Sequence, residues 1–451
     1  MSNPSSVQYS VNEQTEAQNA ISELRIFRSE NSSYEPEVSN SQIVIPINCS
    51  SGSFIDFSET TISWKITNRS NSGTGGGANA ADVILDGGML GSIDTLEIRG
   101  PQSQTLEYIR SYGELNDVLF NYQTGAGHAK SIESVLNGMT TDGLPSTQKK
   151  LTESGTAATS RTDGGSVTLV DNLVSGLLGS KMLCPCGFLT GSPMKIVLTL
   201  KNPKNYLKTT ANITAANGNV GYRIENVEIR AKEVRFNELF NTTFLAGLQE
   251  KGERGMSFYG ETFIHSSNNI GANTNGEQDL QFSASCQSAK GIMTIIRPSA
   301  DISDMTKFSL SSRYSAAMES YRYEVSGQSR PNQRINISND NKAQAYTEVL
   351  QTFGVVGNLD RETLIDESAT ATKYYSATKT DATKFLVALP LEDFNDGNVL
   401  SGENLSLVSA PLRFMPTLST GGTLLSQRVD HWVWCDIKFT FDISGRMDSE
   451  Y

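Results

Sequence analysis

The chain has 451 residues, a net charge of −12 and a pI near 4.9. That length exceeds one ordinary core and fits two domains, while the acidic balance argues against a direct grip on nucleic acid, which needs basic patches to meet phosphate. The apolar share of 37% is folded-domain material, with abundant Gly, Ser, Thr and Asn for loops.

The five cysteines, Cys49, Cys184, Cys186, Cys286 and Cys435, are too few and too odd a set for a disulfide framework. The opening MSNPSSVQYSVNEQTEAQ has neither the basic nor the apolar segment of a secretory signal. No apolar run is long enough to span a bilayer. Asn31, Asn68, Asn212, Asn241, Asn336 and Asn404 open Asn-x-Ser/Thr triplets, which an Asn- and Ser-rich chain produces by chance.

In chain order, residues 1–40 read as a polar N-terminal arm in which only Ile21, Leu24, Ile26 and Phe27 could anchor anything. It is either free or ordered against a neighbouring subunit. A β domain is predicted from residue 41. Ile43, Ile45 and Ile47 share a strand face, and Pro46 puts that strand at an edge or a bulge. Phe54–Phe57 and the alternation of Ile62, Trp64 and Ile66 follow. Gly73–Gly77 is a flexible loop without the Lys-Ser/Thr of a nucleotide site. After a strand at Ile93–Ile98, Leu106, Ile109, Tyr112, Leu115, Val118 and Leu119 recur at three and four residues, predicting a helix over Thr105–Tyr122. A long excursion, Asn121–Gly165, precedes strands at Ser166–Val170 and Lys195–Leu200. Tyr222–Phe236 is a long closing strand whose apolar phase slips at Glu225-Asn226, as a bulge would cause. A helix is predicted over Asn237–Leu248, and Gly252 and Gly255 mark a join.

The second half carries strand patterns at Phe258–Phe263, Leu280–Phe282, Gly291–Ile296 and Tyr321–Val325. Gln328–Ile337 reads as turn and loop, Lys342–Phe353 as a helix and Asn358–Thr380 as another excursion. Short strands are predicted at Lys384–Pro390 and Leu405–Val408, with a loop over Leu412–Gly422. The last strand, His431–Ile443, places Val433, Cys435, Ile437, Phe439, Phe441 and Ile443 on one buried face. Ile93–Val118 and Tyr321–Phe353 echo each other as strand, Gly-containing loop with a Gln-Ser pair, and amphipathic helix. With the two long closing strands, this predicts a duplicated β fold divided as 41–254 and 255–451.

No motif carries catalytic chemistry. His128 falls in a Gly-rich loop, His265 and His431 at strand boundaries, and neither HExxH nor GxSxG occurs. Cys184-Pro185-Cys186 has no second Cys or His pair near it in sequence, so it is either a zinc site or a pair of turn or strand cysteines. Scattered carboxylates leave room for a glycosidase pair, and a β-sandwich could bind carbohydrate. No catalytic, cofactor-binding or metal residue is assigned, and the chain is expected not to be an enzyme.

Five stretches together resemble one family: Ser53–Asp56 before the strand Thr61–Thr67, Leu96–Leu119 with its spacing of Leu106, Glu107, Ile109, Tyr112 and Leu115, Leu177–Leu200, Tyr222–Phe236 with its following helix, and Asp430–Arg446. In order and spacing they are similar to the double jelly-roll major capsid proteins of adenovirus-like, phycodnavirus-like, virophage and Polinton-like icosahedral viruses. The resemblance spans nearly all of 41–451. It implies an all-β double jelly roll, two eight-stranded antiparallel sandwiches with short helices in loops. It further implies a homotrimer with a pseudo-hexagonal outline that tiles an icosahedral shell, located in the virion and assembled inside the host cell. The implied partners are neighbouring capsomers, penton proteins and minor capsid or cement proteins, with no sequence-specific nucleic acid, and an inner membrane left open. Gly125–Gly165 and Gly327–Thr380 are the outward loops this reading selects. The alternative is a viral surface spike or a carbohydrate-binding β-sandwich protein.

Overall fold

The structure is a computed structural model that describes residues 20–38, 40–71, 82–138, 150–152, 163–180, 182–209, 220–252, 255–315, 318–355, 362–368, 372–377, 381–392, 402–406, 412–419 and 425–451. The first half supplies eight principal strands: β1 (Ile21–Arg28), β2 (Gln42–Ile47), β3 (Ser53–Asn68), β4 (Ile93–Arg99), β5 (Thr105–Arg110), β6 (Ser166–Asp171), β7 (Met194–Leu200) and β8 (Tyr222–Arg235). They form two antiparallel sheets, β1-β8-β3-β6 and β2-β7-β4-β5. Counted within the half, these are strands one, eight, three, six facing two, seven, four, five, which is the strand order of a jelly roll. Helix α1 (Tyr112–Gln123) follows the fifth strand.

The second half repeats the plan. Its strands are β9 (Met256–Ile270), β10 (Leu280–Phe282), β11 (Ala289–Pro298), β12 (Met318–Val325), β13 (Gln328–Asn336), β14 (Val387–Pro390), β15 (Leu412–Leu418) and β16 (Gln427–Phe441). The sheets are β9-β16-β11-β14 and β10-β15-β12-β13, again one, eight, three, six and two, seven, four, five. A helix again follows the fifth strand, Lys342–Thr352, and a further strand, β17 (Met447–Glu450), pairs with the end of β16 from Lys438↔Glu450 to Phe441↔Met447. With the helix Glu238–Lys251 between the rolls, the helices are α1, α2 (Glu238–Lys251) and α3 (Lys342–Thr352). The fold is all-β, a double jelly roll with short helices in its connections.

Local chemistry accounts for much of this. In β2, Pro46 sits on the sheet edge, where its missing N–H leaves no ladder bond unmade. In β8 the register against β3 shifts between Glu225 and Glu228, and Asn226 takes φ +55°, as the phase slip requires. The side chain of Asn237 accepts from the N–H of Phe240 at 2.8 Å and starts α2. One face of α2 then carries Phe240 and Phe244, with Phe54 of the first roll 5.1 Å from Phe244 and Phe441 of the second roll stacked on it at 6.3 Å.

Several expectations change. Ile21–Arg28 is not part of a separate arm but the first strand of the first roll, paired along its whole length with β8 from Ile21↔Arg235 to Arg28↔Glu228. Its buried anchors are Phe27 and the ion pair from Arg25 to the buried Glu233 at 2.6 Å. The helix predicted over Thr105–Tyr122 is strand β5 and then α1, with Ser111 at φ +48° between them. The register of β5 on β4 skips Leu106, so this irregularity buries both Leu106 and Ile109 and reproduces helical spacing inside a strand. Gln328–Ile337 is not loop. It forms β13, polar because it is a sheet edge with Pro331 in it.

Leu412–Leu418 is likewise a strand, β15, with perfect alternation of buried and half-buried residues. Pro416 hides that signal. The neighbouring strand is interrupted there, between Gly276–Glu277 and Leu280–Phe282, and Gln278 donates its N–H to the Pro416 carbonyl at 2.9 Å. Leu405 lies outside any strand, and residues 407–408 lie outside the described residues. Five of the six side chains expected to be buried in β16 are so, but Ile443 is 46% exposed. The strand ends at Phe441, and Asp442 accepts the Arg446 N–H at 2.9 Å to turn the chain back into β17. The Gly73–Gly77 loop and Asn212 lie outside the described residues, as does most of Gly125–Gly165 and much of 356–380.

Phe439 is fully buried, so Phe439→Ala should lower stability by about 3–5 kcal/mol in chemical denaturation, whereas Ile443→Ser should change it by less than about 0.5 kcal/mol. Deleting residues 1–40 should sharply lower the thermal midpoint by removing β1, while deleting 1–19 retains all sixteen jelly-roll strands and should leave the midpoint close to that of the full chain.

Candidate functional site

The densest polar constellation lies where the two rolls meet, and it is built on α1. Glu114 and Asp117 are three residues apart, so they stand on one face of the helix. Both are buried against the second roll. Glu114 takes Lys201 of its own roll at 2.5 Å and Arg297 of β11 at 3.1 Å. Arg297 continues to Asp430 of β16 at 2.8 Å, and Asp430 also takes His265 at 3.0 Å and Arg428 at 2.9 Å. Asp117 pairs with Arg313, whose side chain is also fully buried, and lies 3.7 Å from Lys384. Burial opposes ionisation of Glu114, yet Lys201 and Arg297 outweigh it and hold the carboxyl down at about 2. Asp430 is held low in the same way, against burial, chiefly by Arg297. These groups are therefore charged at neutral pH and act as an electrostatic clamp across the seam.

A second buried carboxylate crosses the seam differently. Glu107 of β5 accepts from the Thr262 hydroxyl of β9 at 2.6 Å and from the Gly176 N–H at 2.8 Å, with Ser175 at 2.5 Å. Burial pushes its carboxyl up despite those donors. Around it the backbones nearly touch: a Cβ on Gly260 would lie 2.0 Å from the Gly176 carbonyl oxygen, so only glycine fits there. Further along, Asp86 accepts the Leu310 N–H at 2.7 Å, and burial raises its carboxyl to about 6. Tyr122 of α1 donates to the Lys384 carbonyl at 2.7 Å and stacks on Phe353 at 5.7 Å.

Of the residues weighed for chemistry in the sequence, His265 and His431 lie within paired strands rather than at their boundaries. His265 belongs to the clamp. His431 is stacked on Phe282 at 4.3 Å, 2.8 Å from the Thr294 hydroxyl, and burial lowers it to about 3. His128 is exposed beside Glu133 at 3.1 Å. Cys184 and Cys186 lie in a turn with their sulfurs 3.5 Å apart. Among the described residues, no group of three or more His, Cys, Asp or Glu side chains is arranged to hold a metal ion. No described helix is long and apolar enough to cross a membrane.

Each clamp residue interrupts an apolar pattern, which masks it in the sequence. Glu114 and Asp117 flank Leu115 on the helix stripe, and Arg297 ends the run Gly291–Ile296. A charged pair at i and i+3 on an otherwise apolar face was the available signal.

On the outside, β1 is an edge strand that exposes Ile21, Leu24 and Ile26 at 60%, 65% and 47%. Such an edge is a template for association.

Two four-on-four sandwiches with one strand order, locked side by side, define the double jelly-roll class of architecture. Solved structures of similar fold share it. PBCV-1 VP54, a crystal structure fitted into a cryo-EM reconstruction of the virophage Sputnik, matches over 96% of this chain and 97% of its own, with a TM-score of 0.59 and 10% identity. The Faustovirus major capsid protein matches over 94% and 91%, with a TM-score of 0.58 and 8% identity. The mavirus major capsid protein matches over 100% and 95%, with a TM-score of 0.50 and 10% identity. At these identities the likeness is one of fold. No family model and no curated protein matches the sequence.

Removing Arg297 leaves Glu114 and Asp430 buried with reduced compensation, so Arg297→Ala should cost about 3–5 kcal/mol in chemical denaturation. Asp86 behaves oppositely to a paired carboxylate. Its folded value of about 6 lies above the ordinary 3.8, so the folded state binds the extra proton and stability falls as pH rises from about 4 to about 6. Asp86→Asn should therefore be close to neutral at pH 4 and stabilising by on the order of 2–3 kcal/mol at pH 8, read from denaturation curves at the two pH values.

Proposed function

We propose that this chain is a major capsid protein of an icosahedral virus, a structural subunit that assembles as homotrimers of pseudo-hexagonal outline. The observation that carries the reading is the duplication itself. Two rolls of identical strand order stand in one chain, so three copies around a threefold axis set six similar bodies in a ring that can tile a flat face. The likeness in fold to the PBCV-1, Faustovirus and mavirus proteins over nearly their full lengths supports it. The buried clamp also supports it, because a tile needs its two rolls held at a fixed angle. The natural division is in the short link between α2 and β9, giving units of about 21–252 and 255–451.

In this reading, the acidic surface keeps subunits apart until specific contacts form, and self-association covers the apolar β1 edge. The chain resides in the virion after assembly in the host cell, meets neighbouring capsomers, and accommodates penton and minor capsid or cement proteins at special positions. Its task is scaffolding rather than catalysis.

Sedimentation of the purified protein should give a mass of three chains, and electron micrographs should show threefold particles with hexagonal outlines that form sheets or shells. A monomer that persists at high concentration, or glycan binding without self-association, overturns this reading.

A further inference from the structure

All five cysteines of the chain are accounted for by two thiol clusters, one in each roll. In the second roll, Cys286 and Cys435 are neighbours and both are fully buried. In the first roll the cluster has three members. Cys49 lies in the loop between β2 and β3 and is half-buried, Cys184 bridges Ile55 of β3, and Cys186 follows one proline later.

The backbone forces these sulfurs together. Cys184 and Ile55 exchange both N–H···O bonds at 2.8 Å. Pro185, at φ −77° and ψ 51°, makes a three-residue turn closed by the Cys186 N–H on the Cys184 carbonyl at 2.8 Å. The Gly52 N–H donates to the Gly187 carbonyl at 3.0 Å, which presses the Cys49 loop on this turn, and a Cβ at Gly187 would lie 2.2 Å from the Ser50 carbonyl oxygen. Cys186 thus has Cys184 at 3.5 Å, and the loop that carries Cys49 packs against the residue that follows it.

We propose that this cluster is an oxidisable site that forms a Cys49–Cys186 disulfide, stapling the β2–β3 loop to the turn before β7 once the protein meets a low-molecular-weight disulfide such as oxidised glutathione. The half-buried Cys49 is the point of access. Its thiolate attacks one glutathione sulfur and expels the first glutathione as a thiolate. Cys186, whose thiol its sulfur neighbours and burial push up, then gives its proton to solvent as its sulfur attacks the Cys49 sulfur, breaks the mixed disulfide and expels the second glutathione as a thiolate. Two thiol protons and two electrons leave the protein, and one glutathione disulfide becomes two glutathione thiols. A bond between Cys184 and Cys186 closes a ring around a single proline and is strained, whereas the Cys49–Cys186 bond closes a long loop and draws exchange toward itself. Its biological setting rests on the capsid reading, since a shell leaving a cell passes from a reducing to an oxidising medium. The chemistry does not.

The test uses the full-length protein, equilibrated in its folded state with reduced and then with oxidised glutathione, alkylated and mapped by mass spectrometry. Free thiols should fall from five to three, with Cys49 and Cys186 joined and Cys286 and Cys435 free. The thermal midpoint should rise on oxidation and return with dithiothreitol, and Cys49→Ser should show neither change. Retention of all five thiols, a stable glutathione adduct on Cys49 alone, a bond between Cys286 and Cys435, or a Cys184–Cys186 bond that forms equally in Cys49→Ser would each overturn the proposal. These readouts need no assembly, so failure of the staple and failure of the trimer are separate results.

Discussion

The contact on which the arrangement of the two rolls depends is the one from Glu114 through Arg297 to Asp430. Each side chain belongs to a different element, α1, β11 and β16, and none can retain its charge in the interior without the others. Desolvating an ion costs several kcal/mol, recovered only when partners sit within hydrogen-bond distance on the right side. The seam therefore tolerates little sliding. An apolar seam alone would bind the rolls at many angles, whereas a buried charge lattice specifies one. The glycine contact of Gly176 with Gly260 sets the spacing on the same seam, so distance and orientation are fixed by different means.

The two rolls have diverged around a common plan in a way that follows from this contact. The helix after the fifth strand is present in both, but α1 faces the seam and α3 does not carry its charges. The stripe of α3, with Ala345 and Val349, packs instead within its own roll on β14. Duplication supplied two copies of one connection; the first brings the charges to the joint, and the second meets it through Tyr346 and Phe353, which face Tyr122. The seam is accordingly asymmetric, with acids from the first roll and arginines from the second.

The sequence made the fold legible where burial follows a clean period. Apolar side chains recur at every second position from Ile62 to Ile66 in β3 and from Val433 to Phe441 in β16, and on either side of one slip in β8, and the echo between Ile93–Val118 and Tyr321–Phe353 corresponds to the same strand–strand–helix unit in both rolls. It was illegible where a local device disguised the period. The irregularity at Leu106 gave a strand the spacing of a helix, Pro416 gave a central strand the look of a loop, and exposure left β13 polar. β1 is masked for a related reason. Its apolar residues Ile21, Leu24 and Ile26 point outward, so no alternation marks it, and its pairing partner lies two hundred residues away. The clamp was the least visible, since a charge inside an apolar run has no partner that spacing along the chain can reveal.

The pairing of first with last strand has a temporal meaning during synthesis. β1 cannot be completed until β8 leaves the ribosome, and β9 must likewise wait for β16. Contacts this distant close slowly, and partly made β domains aggregate through bare edges. The first roll finishes while the second is still being made, and the face it shows in the interval bears Glu107, Glu114 and Asp117 among its apolar residues. Water can solvate those carboxylates until Arg297 and Arg313 arrive. The same acids that later fix the joint thus act beforehand as a solubilising guard on the unfinished chain, discouraging the nascent half from sticking to another nascent half.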